Sequence, residues 1–137
     1  MNLNVFNVLP AVSFAPTAGS FPFQPKRLFL SEKIRVPLAP QSNEPPSSSN
    51  GVFPQGSLSL SMPHAEVWIQ GKQILIRDRS STFGTYVNGI RIEHQTLLQD
   101  GDIMTMGRQL CRSSTTPGNA SDIQLRPIEA TVVIVGV

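Results

Sequence analysis

Cysteine is nearly absent from this chain. The one thiol, Cys111, has no partner within the sequence, so a disulfide-stapled fold is excluded, and beside Leu110 it reads as a small packed side chain. Histidine is almost as scarce. Two His and one Cys cannot build a Cys/His zinc set, and neither a metal nor any other cofactor is expected. Charge is thin: 15% of the 137 residues are charged, and the net charge is +2. No Lys/Arg run concentrates it, so the basic stripe of a nucleic-acid binder is missing. No apolar run approaches the roughly 20 residues of a membrane helix, and the apolar residues 131–137 are too few to span. The N-terminus lacks a basic segment followed by an apolar core, so no signal peptide is expected. These absences point to an intracellular, cytoplasmic protein (nuclear is the alternative) with no direct membrane insertion.

Catalytic signatures are missing as well. Ser61 or Ser81, His64 and Asp78 are the residue types of a hydrolytic triad, but there is no Gly-x-Ser-x-Gly elbow. Gly71-Lys72 lacks the preceding glycine of a P-loop. An enzyme is not expected.

What is present is a β pattern centred on residues 73–92, QILIRDRSSTFGTYVNGIRI. Ile74, Leu75 and Ile76 form an apolar strand that ends in a loop of short polar side chains, residues 78–84. Thr85, Tyr86 and Val87 follow. Asn88-Gly89 then turns the chain into Ile90-Arg91-Ile92, a strong hairpin signal. Ser80, Ser81 and Thr82 place hydroxyls beside Gly84, which can bend where other residues cannot. Hydroxyls and free backbone N–H groups at a rigid sheet edge suit an anion-binding loop, although a plain polar turn has the same composition.

Upstream, residues 1–25 carry four prolines and no charge, which predicts an extended N-terminal tail, mobile over 1–21, with room for part of it to pack on the domain. Residues 27–30 and 33–36 read as a first hairpin, or as one strand with a break, ended by Pro37. Residues 40–56 are rich in Pro, Ser and Asn and predict a mobile loop or linker. Leu58-Ser59-Leu60 alternates like a strand, and residues 65–69 make a good one, with Ala65, Val67 and Ile69 opposite Glu66 and Trp68. Downstream, strands are expected at 95–98 and 102–106, then at 123–125 and 130–135, and residues 108–112 extend the second of these. The expected core is Val67, Ile69, Leu75, Val87, Ile92, Leu98, Ile103 and Val133. Eight to ten short strands with regular turns predict an all-β fold, an antiparallel β-sandwich spanning residues 26–137.

Ser61-x-x-His64, Asp78, Ser81, Gly84-Thr85, Asn88-Gly89 and Gly101-Asp102, in that order, resemble the forkhead-associated (FHA) domain. The segment FPFQPKRLFL and the Pro/Ser/Asn-rich insert ending at Asn50-Gly51 are similar to fungal sarcolemma-associated-protein-like members of that family. The resemblance implies an FHA/SMAD-like sandwich that binds phosphothreonine peptides with the loops at one end. It implies that Ser61 binds the phosphate through its hydroxyl, and that Thr82 adds a hydroxyl or a backbone N–H. Ser81 belongs to the same loop. His64 would buttress the loops, Gly84 and Gly89 would shape them, and Asn88 would hold the neighbouring turn or the peptide backbone. The partner would be a phosphothreonine-containing protein, such as a component of a kinase/phosphatase scaffold assembly. A phosphothreonine carries roughly −1.5 to −2 charge and three acceptor oxygens, which suits such donors.

Three positions depart from the family pattern. Val36-Pro37 stands where the family has Gly-Arg. Met62 replaces the arginine of Ser-Arg-x-His, and Phe83 replaces the asparagine before Gly-Thr. Charge-assisted hydrogen bonds contribute ~1.5–3 kcal/mol each, so losing two weakens binding by roughly 10²–10⁴-fold. Arg79 and Arg77 are the nearby substitutes, with solvated loop charges as the plainer reading. The alternative is a degenerate FHA domain that binds its partner without phosphate, using the 40–56 loop and an exposed Trp68 or Phe83.

Overall fold

Alternation sorts this chain into two layers, because successive side chains of a strand face opposite ways. The computed structural model describes residues 9–137. One sheet has six strands, in the order β2 (Lys26–Phe29), β1 (Ala11–Pro16), β11 (Ile128–Val135), β10 (Ile103–Met106), β7 (Thr85–Val87) and β8 (Ile90–Arg91). The other has five, in the order β4 (Val52–Phe53), β3 (Val36–Pro40), β5 (Ala65–Gln70), β6 (Gln73–Asp78) and β9 (Thr96–Leu98). Neighbours are antiparallel except β3 and β4. The expected all-β sandwich is therefore the observed fold.

The two hairpins with short turns form where expected. β5 and β6 pair from Ala65↔Asp78 to Gln70↔Gln73. Tyr86↔Arg91 and Val87↔Ile90 pair across Asn88-Gly89, whose φ angles of 52° and 80° suit a type I′ turn.

The N-terminal segment differs from expectation. The part of the 1–25 tail in residues 1–8 lies outside the described residues. Beyond it, Ala11–Pro16 is an inner strand between β2 and β11. Val12 and Phe14 alternate into the core and are fully buried. Burying a Phe stabilises by about 1.5–3 kcal/mol, which outweighs the tail-like composition. The expected hairpin of 27–30 with 33–36 does not form, because β2 joins the first sheet and β3 the second. Pro37 does not end β3. It pairs opposite Glu66, on a stretch of β3 whose other side meets β4 only from Ala39 onward, so its missing N–H leaves no ladder partner unsatisfied.

The 40–56 segment is packed rather than a free linker. It contains β4, and Phe53 is fully buried. Lys26 Nζ donates to the Ser47 carbonyl at 2.6 Å, and the Arg27 N–H donates to the Ser48 carbonyl. Leu58-Ser59-Leu60 is a turn. The buried Ser59 hydroxyl there donates to the Arg108 carbonyl and accepts the Arg108 N–H, so this serine joins two segments as a strand pair would. Residues 108–112 form no strand, and the Ile123 region is a short 3-10 helix, Asp122–Leu125. Cys111 is exposed, not packed.

The core lies between the sheets: Phe14, Leu28, Leu38, Phe53, Val67, Ile76, Met104, Met106, Ile128 and Val132. Val67, Ile69, Ile92 and Leu98 are buried as expected. On β10 and β11 the expected phase is off by one residue. Met104 and Val132 face inward while Ile103 is half-buried and Val133 is 44% exposed. Val87 is half-buried at the core's margin. Leu75 is buried, but on the outer face of the second sheet, opposite Trp68. Trp68, expected to be exposed, is 4% exposed.

Candidate functional site

The residues that start β5 and end β6 meet at one end of the sandwich, because those strands are antiparallel and Ala65 pairs with Asp78. Ser61 and Thr82, 21 positions apart, become neighbours there: the Thr82 N–H donates to Ser61 Oγ at 3.0 Å. Accepting that bond leaves the Ser61 hydroxyl hydrogen available to an outside acceptor. Thr82 itself is exposed.

His64 holds this junction from behind. It is fully buried. Its Nδ1 accepts the Ser61 N–H at 3.0 Å, and its Nε2 lies 2.8 Å from the Gly84 carbonyl. The first bond leaves Nδ1 unprotonated, so Nε2–H donates to Gly84 and the ring is neutral. Burial holds the imidazole below its ordinary pKa, against the opposing pull of the Gly84 carbonyl and Asp78. One ring thus ties the loop before β5 to the loop after β6.

Asp78 organises the second loop. Its carboxylate accepts the Ser81 N–H at 3.0 Å, the Ser81 hydroxyl, and the Thr85 hydroxyl at 2.7 Å. Burial alone would raise this carboxyl. The hydrogen bonds from Ser81 and Thr85 outweigh it and lower the pKa. The Ser81 hydroxyl also accepts the Gly84 N–H at 2.9 Å. Ser81, named as a binding residue, is thus turned inward and shapes the loop. Gly84 has φ of 89°, and a Cβ there would collide with the Arg91 guanidinium. Asn88 holds its turn against β10: its side-chain N–H donates to Asp102 Oδ1, and its Oδ1 accepts the Ile103 N–H, both at 2.9 Å. Gly89 completes that turn.

The cations are arranged differently from expectation. Arg79 does not reach into the loop junction. Its Nη1 donates to Glu66 Oε1 at 2.9 Å, and Arg77 lies 3.6 Å from the same oxygen. Where β3 reaches the site end, beside Leu38 whose carbonyl accepts the His64 N–H, the chain carries Ala39 and Pro40. Val36-Pro37 lies further back along the strand, so the position facing the loops is a different pair from the one the sequence suggested, and it is again uncharged. Met62 is 55% exposed and Phe83 half-buried. Two arginines that the sequence reading passed over do meet this loop. Arg91 lies against Gly84, and Arg108 sits 5.2 Å from the centroid of the Phe83 ring. Their only sequence signal was a late position beside the β7–β8 and β10 turns.

Residues 44–107 match the FHA domain family model. That stretch is just under half of the chain and is similar to the FHA domain family. FHA domains are phosphothreonine-peptide-binding modules and are not catalytic. The N-terminal FHA domain of Rad53p from S. cerevisiae, solved in complex with a phosphothreonine peptide, is 19% identical; the alignment covers 93% of this chain and 94% of that one, with a TM-score of 0.55. The FHA domain of the CT664 protein from Chlamydia trachomatis is 18% identical over 92% of this chain and 97% of that one, with a TM-score of 0.57. Full-length yeast Pml1p is 15% identical over 93% of this chain and 82% of that one, with a TM-score of 0.58. At these identities the likeness is one of fold. Curated protein sequences gave no significant match. Among the described residues, no group of His, Cys, Asp and Glu forms a metal site, and no helix is long and apolar enough to cross a membrane.

Proposed function

We propose that this chain is an FHA-type interaction module for a phosphothreonine-containing protein, with a phosphate site that keeps its neutral donors, has Met62 in place of the family's arginine, and has Arg91 and Arg108 as the cations nearest its loop. The observation that carries the reading is the Thr82 N–H to Ser61 Oγ bond, buttressed by His64, which leaves the Ser61 hydroxyl and the exposed Thr82 side by side. Neutral donors hold a dianion less well than charged ones. The apolar residues around the junction, Met62, Phe83, Ala39 and Pro40, favour a second reading in which the partner binds without phosphate. We further place the protein in an intracellular setting, with a kinase/phosphatase scaffold assembly as the partner's source, a reading that rests on the sequence resemblance of residues 21–30 and 40–51 alone.

One titration separates the two readings. A phosphothreonine peptide and its threonine twin are compared on the wild-type protein and on Ser61→Ala. The proposal expects weak, salt-sensitive binding that favours the phosphorylated peptide and is reduced by Ser61→Ala. Equal binding of both peptides selects the phosphate-independent reading. Submicromolar phosphopeptide binding that is untouched by Ser61→Ala overturns the assignment of this site.

A further inference from the structure

The outer face of the five-stranded sheet carries a charge cluster whose side-chain bonds run to Glu66 and not to Ser61 or Thr82, although the Arg79 backbone N–H donates to the His64 carbonyl. Glu66 is 3% exposed, yet it is ionised, because three arginines surround it. Arg35 Nη1 donates to Oε2 at 2.9 Å and Arg79 Nη1 to Oε1 at 2.9 Å, while Arg77, its cross-strand partner, stands 3.6 Å from Oε1. Burial pushes this carboxyl up, but the bond from Arg35 and the charges of Arg77 and Arg79 bring it below its ordinary pKa. The arginines remain 47%, 47% and 42% exposed.

One guanidinium is enough to neutralise one carboxylate, and here there are three. Each has five N–H donors, so roughly fifteen donors face about four acceptor positions on Glu66. Most of them point away from it. Three arginines and one glutamate leave two positive charges, which equals the formal net charge of the entire chain. Arg35 is further fixed by Trp68, whose ring lies 4.0 Å below its Cζ. A guanidinium held this way loses little freedom when it binds a ligand.

We propose that this face is a docking surface for an acidic peptide segment, whose Asp and Glu carboxylates pair with the outward N–H groups of Arg35, Arg77 and Arg79. Planar carboxylates match the guanidinium fork two bonds at a time. Single-stranded nucleic acid needs aromatic faces to stack on, but Trp68 is 4% exposed and covered by Arg35. Three cations are also few for tracking a phosphate backbone.

Trp68 is the only tryptophan in the chain, so its emission reports on Arg35 directly. The test titrates a peptide containing six glutamates, a glutamine twin and a single-stranded oligouridine into the full chain. Trp68 emission and fluorescence anisotropy are followed at two salt concentrations. The acidic peptide should shift Trp68 emission, bind more weakly at high salt, and lose roughly tenfold or more in affinity with Arg35→Gln plus Arg77→Gln. Ser61→Ala should change nothing, which separates this face from the phosphothreonine site. If the double variant fails to fold, Arg77→Gln alone, half-exposed and the most distant of the three from Glu66, decides the matter. Equal binding of the glutamine twin, unchanged affinity in the Arg variants, absence of binding, or tighter binding of the oligouridine would each overturn the proposal.

Discussion

Three hydrogen bonds converge on the Asp78 carboxylate, and two more run through the neutral ring of His64. Both groups link the shape of the loops to pH. His64 titrates below its ordinary 6.5 in the folded state, so below that pH the unfolded chain takes up a proton that the folded one refuses, and stability falls as the pH drops. Asp78 titrates below its ordinary 3.8; its contribution is complete above that value and disappears as the pH falls through the folded pKa. Thermal melts should therefore weaken in two limbs, one starting near pH 6.5 and one below about 4, and His64→Gln should remove the first. A melting temperature that stays flat from pH 7 to 5 would contradict the tautomer assigned to His64. Met62 belongs at this scale as well. It is exposed beside Ser61, so Met62→Arg can add a cation without disturbing the core. Phosphothreonine-peptide affinity should rise about tenfold or more, equivalent to ~1.5 kcal/mol. Adding Ser61→Ala should remove most of that gain. Arg79→Gln should have little effect on phosphate binding, because its bond to Glu66 places the guanidinium on the outer face of the sheet rather than at the Ser61 junction.

The 40–56 loop is an element fixed by one buried cation. Lys26 is 4% exposed, donates to the Ser47 carbonyl, and lies 4.9 Å from the centroid of the Phe53 ring. Burial lowers its pKa from 10.5 to about 8. Between those values the unfolded chain binds more protons than the folded one, so stability should rise with pH from about 8 to about 10.5. Urea midpoints measured across that window should rise in the wild type and stay level in Lys26→Met. This loop also shows why some elements were legible in the sequence and others were not. β5–β6 and β7–β8 announce themselves because their turns are short and both partners sit within a few residues of each other. β1 finds β11 more than a hundred residues away, as in Ala11↔Val135, and no local pattern encodes a partner so distant. Likewise, the meeting of Ser61, Thr82 and His64 at one end of the sandwich was legible because the motif carries their spacing. The commitment of Arg79 to Glu66 and the inward turn of Ser81 were not, since they depend on sheet register and on a single rotamer.

The two sheets stabilise each other only if both are present, because each covers the apolar face of the other. The family match covers residues 44–107, but β1, β2 and β11 of the six-stranded sheet lie outside it, as does β3 of the other. Those four strands supply Val12, Phe14, Leu28, Leu38, Ile128 and Val132 to the core. β10 would lose its β11 neighbour, and β5 would lose β3, whose Leu38 carbonyl accepts the His64 N–H. A fragment of residues 44–107 should therefore have no cooperative melt and poorly dispersed amide resonances. The full chain should melt in one transition and bind the peptides. A folded, peptide-binding 44–107 fragment would mean that the outer strands only decorate the site. The structure argues the opposite, because the buttress of the site, His64, is bonded on its backbone to a strand that the fragment lacks.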